Sequence, residues 1–74
     1  MGVAKDIGRN IRELREERGM TLRGFGLMVG MDKTYLSGIE NGKRNATVST
    51  LDRIARGLDV PIERLFRGAG AKRP

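Results

Sequence analysis

The chain contains neither cysteine nor histidine. Disulfides are thereby excluded, and a structural zinc loses its two commonest ligand types. The same absences remove the side chains most used as general bases and nucleophiles, so an enzyme is not expected. The carboxylates of Glu13, Glu16 and Glu17 fall on a solvated helix face and not in a pocket. Gly24-x-Gly26-x-x-x-Gly30 misses the dinucleotide-binding fingerprint by one residue and follows no strand. No apolar run approaches the roughly 20 residues of a membrane span. A signal peptide is not expected either, because Asp6, Arg9 and Arg12 interrupt any apolar stretch near the N-terminus. These readings imply a cytoplasmic protein with no cofactor, no metal and no small-molecule substrate.

What is present is a small, basic chain. Its 74 residues allow one domain, and a domain of that size buries only about 60–65% of its unfolded surface. Fifteen Lys and Arg stand against 9 Asp and Glu, a net charge of +6 that favours a polyanionic partner such as nucleic acid. Three of those six excess charges, Arg67, Lys72 and Arg73, lie in the acid-free segment 67–74. That segment reads as a basic, flexible C-terminal tail, serving either solubility or phosphate contact, and the domain proper as residues 1–66.

The most informative stretch runs from Asp32 to Arg44. Asp32 is a good N-cap, Leu36 and Ile39 share one face, and Asn41-Gly42 stops the helix with a residue suited to the left-handed conformation. Lys33, Thr34, Tyr35, Ser37 and Gly38 are left facing outward, with Lys43 and Arg44 just beyond. A helix anchored by two aliphatics, with donors on its outer first turn and cations behind it, suits insertion into a DNA major groove. Upstream, Thr21 caps a helix whose Leu22, Phe25 and Val29 line one face, and Gly30 ends it. Two short helices joined by a tight turn containing glycine form a helix-turn-helix pattern. Gly26 sits on the inner side, where a bare α-carbon lets the two helices approach closely.

From about Ile7 to Phe66 the chain resembles the lambda-repressor-like, or XRE, helix-turn-helix family. The resemblance is carried by Ile7-Gly8-x-x-Ile11-Arg12-x-Leu14-Arg15, Gly19-Met20-Thr21 and Gly30. It continues through Tyr35-Leu36-Ser37-x-Ile39-Glu40-x-Gly42-Lys43-Arg44-Asn45, Thr50-Leu51-x-x-Ile54-Ala55, Val60-Pro61 and Leu65-Phe66. Within the family, the run from Asp32 to Glu40 looks most like the controller proteins of restriction–modification systems. The resemblance implies an all-α, compact five-helix domain with its helix-turn-helix at helices 2 and 3. It also implies a transcriptional regulator, a repressor or autoregulator, that binds double-stranded DNA at a pseudo-palindromic operator as a homodimer. Lys33, Thr34 and, one turn later, Ser37 are then the residues that reach base edges. Arg23, Lys43, Arg44 and Asn45 flank the groove as phosphate contacts, and Tyr35 either joins them or packs inward. Glu40 braces Arg12 or a neighbouring arginine. Relatives often begin the second helix Thr-Gln where this chain has Thr21-Leu22, and many carry a long polar residue where it has Gly38. With fewer side chains to read bases, more of the specificity would come from DNA deformability.

The remaining elements follow from periodicity. Residues Met1 to Lys5 read as a frayed lead-in, overlapping a first helix from about Ala4 to Arg18 with an apolar stripe of Ile7, Ile11 and Leu14. Its arginines Arg9, Arg12, Arg15 and Arg18 alternate with glutamates on the solvated side. Thr47 caps a fourth helix whose Val48, Leu51, Ile54, Ala55 and Leu58 face inward, with Asp59 as an unusual C-cap, and Pro61 opens a last short helix to Phe66. Five glycines within helices, at positions 8, 24, 26, 38 and 57, each cost roughly 0.8–1 kcal/mol relative to alanine, which predicts a marginal monomer leaning on self-association. Val60, Ile62, Leu65 and Phe66 exceed what so short a final helix can bury and form the expected dimer surface, although Leu65 and Phe66 could also cap the domain's own core. Two other readings stand beside the regulator. One is an antitoxin-like or adaptor module whose main partner is a protein; the other is shape-dependent RNA binding.

Overall fold

The computed structural model describes residues 2–70. Four α-helices and a closing 3-10 turn follow one another along the chain: α1 (Val3–Glu17), α2 (Leu22–Val29), α3 (Lys33–Glu40), α4 (Val48–Leu58) and the turn Ile62–Phe66. The fifth helix expected from sequence is thus a 3-10 turn. Pro61 sets its entry as the preceding cap residue, and the run to Phe66 is too short to settle into α geometry.

Three helices start on the side chains that local chemistry favours. The Thr21 hydroxyl accepts from the Gly24 N–H at 2.9 Å, and the Thr47 hydroxyl accepts from the Thr50 N–H at 3.1 Å. The Asp32 carboxylate accepts from the N–H groups of Thr34 at 2.9 Å and Tyr35 at 3.3 Å. At the other ends, Gly30 (φ 73°) and Asp59 (φ 60°) take the left-handed conformation. The first helix begins at Val3, earlier than the frayed lead-in predicted, with the Asp6 N–H already bonded to the Gly2 carbonyl at 3.1 Å.

One core joins all the elements. Ile7, Ile11 and Leu14 of α1 meet Phe25 and Val29 of α2, Leu36 and Ile39 of α3, Leu51, Ile54, Ala55 and Leu58 of α4, and Leu65 of the closing turn. Two predicted placements are corrected. Val48, assigned to the inner stripe of α4, is exposed because the helix begins there, before the stripe reaches the core. Leu65 is fully buried within the protomer and is withdrawn from the dimer surface, whereas Phe66 is 40% exposed and Val60 and Ile62 are only partly covered.

Glycine permits the closest crossings. A β-carbon on Gly8 would lie 2.2 Å from the Ile39 carbonyl oxygen and 2.5 Å from that of Glu40, so α1 rests directly on the backbone of α3. On Gly57 it would meet Val29 at 2.5 Å and Phe25 at 3.1 Å, which accounts for a glycine inside α4.

Residues 67–70 are not free as the tail assignment expected. Asn10 Nδ2 donates to the carbonyls of Leu65 (2.8 Å) and Arg67 (2.9 Å), and the Gly70 N–H donates to the Asp6 carboxylate at 3.0 Å. The predicted cations Lys72 and Arg73 lie outside the described residues.

Gly8→Ala is expected to destabilise the protein by about 2–3 kcal/mol, because the obstacle is backbone and cannot swing aside. Gly24→Ala, whose β-carbon would meet only the Thr21 hydroxyl at 3.0 Å, is expected to stay within about 1 kcal/mol of the parent. Urea denaturation followed by circular dichroism measures both.

Candidate nucleic-acid interface

The turn between α2 and α3 determines how α3 is presented. Gly30 reverses the chain, the Met31 N–H bonds the Gly26 carbonyl at 2.8 Å, and a β-carbon on Gly26 would lie 2.7 Å from the Met31 carbonyl oxygen. The two helices are therefore clasped through a bare α-carbon, as its placement on the inner side predicts. From α4, Arg53 Nη1 donates to the Val29 carbonyl at 3.3 Å and caps the end of α2. With Leu36 and Ile39 buried, the first turn of α3 faces solvent, and Lys33 and Thr34 are both exposed.

The inner end of α3 is held by charge. Glu40 is buried and accepts two bonds from Arg15, from Nε at 2.7 Å and from Nη2 at 3.0 Å, while Arg15 Nη1 reaches the Met20 carbonyl at 2.8 Å. Arg12 stands on the other side of Glu40 at 3.6 Å. Hydrogen bonding to Glu40 raises the Arg15 pKa further above its already high ordinary value, against the opposing effect of burial. The Arg15 guanidinium therefore keeps its charge at any ordinary pH. Arg15 is thus buried and not on the solvated face that its alternation with glutamates predicts. Its position four residues beyond Ile11 is an inner position, and that spacing was the signal available.

Thr34, Ser37, Gly38, Asn41, Lys43 and Arg44 line one shallow depression along the outer side of α3. The N–H groups of Lys43 and Arg44 both bond the Gly38 carbonyl, at 2.8 and 3.3 Å, and so draw the loop back over the helix. The Arg44 side chain then crosses the space a Gly38 side chain would occupy, its Cγ 2.9 Å from where the β-carbon would be. Its guanidinium lies 5.5 Å from the centre of the Tyr35 ring, a cation–π arrangement that keeps the charge beside the outer face. Tyr35 is half-buried.

The predicted residues do not all converge. Lys33, Thr34, Ser37, Lys43 and Arg44 share the α3 surface. Arg23 is exposed at the start of α2, apart from the depression, and Asn45 lines a different cleft, with Val3, Ile7 and Leu51. A second basic concavity lies on α1, whose arginines the sequence places mainly on a solvated face. Lys5, Arg9 and Arg12 come together beside Asn41 because α1 crosses the end of α3. Asp32 and Glu40, the acids bordering the face, are engaged as a helix cap and as the partner of Arg15. Among the described residues there is no cluster of three or more acids that could hold a metal, and no helix long and apolar enough to cross a membrane.

Comparison with known proteins identifies relatives of the chain. Residues 11–65 match the helix-turn-helix family. Control protein C.MunI of a Mycoplasma species is 37% identical over 61 residues, which cover 81% of this chain and 82% of that protein. An uncharacterised HTH-type transcriptional regulator, y4dJ, of Sinorhizobium fredii is 40% identical over 60 residues, 81% of this chain and 78% of its own. The crystal structure of the restriction-modification controller protein C.AhdI from Aeromonas hydrophila matches with a TM-score of 0.83 at 30% identity, over 85% of this chain and 96% of that one. The wild-type controller protein C.Esp1396I gives 0.79 at 34% identity, over 88% and 84% respectively.

Removing one member of the buried pair is expected to cost more than removing both. Glu40→Gln leaves the Arg15 charge uncompensated and should destabilise by about 3–5 kcal/mol, whereas the double change Arg15→Met, Glu40→Leu should recover most of that loss. Urea midpoints of the two variants decide it.

Proposed function

The chain belongs to the helix-turn-helix family, in its XRE branch, and on that premise we propose that it is a sequence-specific transcriptional regulator. It binds double-stranded DNA as a homodimer, with α3 in the major groove of a pseudo-palindromic operator. The observation that carries this reading is the disposition of α3. Its two aliphatics are buried while Lys33 and Thr34 stand exposed on the first turn, flanked by Lys43 and Arg44. Lys33 can donate to guanine O6 or N7, and Thr34 can hydrogen-bond a base edge or touch a thymine methyl. Arg23, Lys43 and Arg44 supply phosphate contacts, which set register without reading sequence. The Tyr35 ring braces Arg44 in this role, and Asn45 contributes from the loop. The likeness to control proteins of restriction–modification systems favours an autoregulator or repressor acting on its own promoter region.

A single short helix touches too few base pairs for an operator, and two-fold pairing places two reading helices about 34 Å apart, one turn of DNA. Val60, Ile62 and Phe66, each left partly uncovered near the closing turn, form the surface for that pairing.

Footprinting on the DNA upstream of the chain's own gene is the direct test; a protected pair of half-sites is expected, and uniform cleavage would overturn the proposal. Lys33→Ala should weaken operator binding by ~1–3 kcal/mol and relax preference at one base pair in each half-site, read by fluorescence anisotropy on matched and substituted duplexes. Phe66→Asp should leave the fold intact and shift the protein to monomer in sedimentation velocity, since Phe66 is already 40% exposed.

A further inference from the structure

The outer side of α3 carries a hydrogen-bond chain that none of the roles above uses. Arg12 Nη2 donates to Asn41 Oδ1, and Asn41 Nδ2 donates to the Ser37 hydroxyl oxygen at 3.4 Å. The chain has a forced direction. A guanidinium possesses donors only, so the oxygen end of the Asn41 amide must face Arg12. The NH2 end then faces Ser37, where only an oxygen lone pair can meet it. Ser37 therefore accepts on that side with one of its two lone pairs, so its proton points elsewhere and a single lone pair is left to accept from a base. Arg12 is steadied in turn by Glu40, 3.6 Å away, which is itself buried against Arg15.

Resting on the reading that α3 enters the major groove, we infer that Arg12 and Asn41 bias Ser37 toward donating a hydrogen bond to DNA, so that Ser37 disfavours cytosine at the base edge it meets. A lone hydroxyl serves as donor or acceptor and tolerates either kind of edge. Biased toward donating, it matches guanine O6 and N7, adenine N7 and thymine O4. Cytosine presents only its N4 amino donor in the major groove. Arg12 and Asn41 are positioning residues: they act on the base through Ser37. Ser37 is half-buried and Asn41 exposed, so the chain ends at the surface offered to the groove.

Selection from a random duplex library, with base preference read column by column, tests the inference. The wild-type protein is expected to enrich an operator, and Ser37→Ala to flatten one column in each half-site, the column in which the wild type depletes cytosine about 2–10-fold. Asn41→Ala and Arg12→Met should flatten that same column and leave those read by Lys33 and Thr34 unchanged, whereas Arg12→Lys, which keeps a donor, should retain the preference. A purely structural role would lower affinity in every column alike. Cytosine enriched at the Ser37 column, a Ser37→Ala profile identical to wild type, or Asn41→Ala selecting the wild-type bases would each overturn the inference while leaving DNA binding intact. No enriched sequence for the wild-type protein would overturn both.

Discussion

The fold is organised around two opposite charges placed where water is scarce. Arg15 and Glu40 meet bidentately between the first helix and the end of the third. Hydrophobic burial is strong but non-directional, so the core alone would tolerate small rotations of α3. Two parallel N–H to oxygen bonds do not tolerate them, because both shorten or lengthen with the angle between the helices. Such pairs contribute little net stability compared with apolar residues of the same volume. Their contribution here is orientation, and orientation is what a surface presented to a groove requires.

Around that pair, missing side chains matter as much as those present. Gly8 lets α1 touch the α3 backbone, Gly26 lets the turn fold onto α2, and Gly57 gives Phe25 and Val29 room against α4. Gly38 creates the path along which Arg44 reaches the Tyr35 ring. Several glycines that look like a drain on helix stability in sequence are places where another element occupies the space. The small core is compact because its helices meet at backbone distance.

Features governed by near neighbours could be read from the residues. The caps at Thr21, Asp32 and Thr47, the left-handed Asp59, and the inward Leu36 and Ile39 all depend on side chains within four positions of one another. Features set by distant partners could not. Arg15 stands at an inner spacing, four residues after Ile11, but its partner there is supplied by Glu40, 25 residues later. Val48 fits the stripe of α4 by spacing, but nothing local reveals that the core ends one turn later. Leu65 and Phe66 are adjacent and equally apolar, and only the surroundings decide that the first is swallowed by the protomer and the second is not. The site followed the same division: the exposed residues of α3 were legible, while the concavity of Lys5, Arg9 and Arg12 depends on where α1 crosses.

The stitching of residues 65–70 to α1 has a consequence for the order of assembly. Asn10 holds the carbonyls of Leu65 and Arg67, and Leu65 fills the core beside α1. In folding, the clasped α2–α3 pair can form from neighbouring residues and α1 can dock on it, but the side of α1 around Asn10 is covered only once partners 55 and 57 residues further along join it. Part of its apolar stripe stays uncovered until Leu65 of the closing turn joins the core.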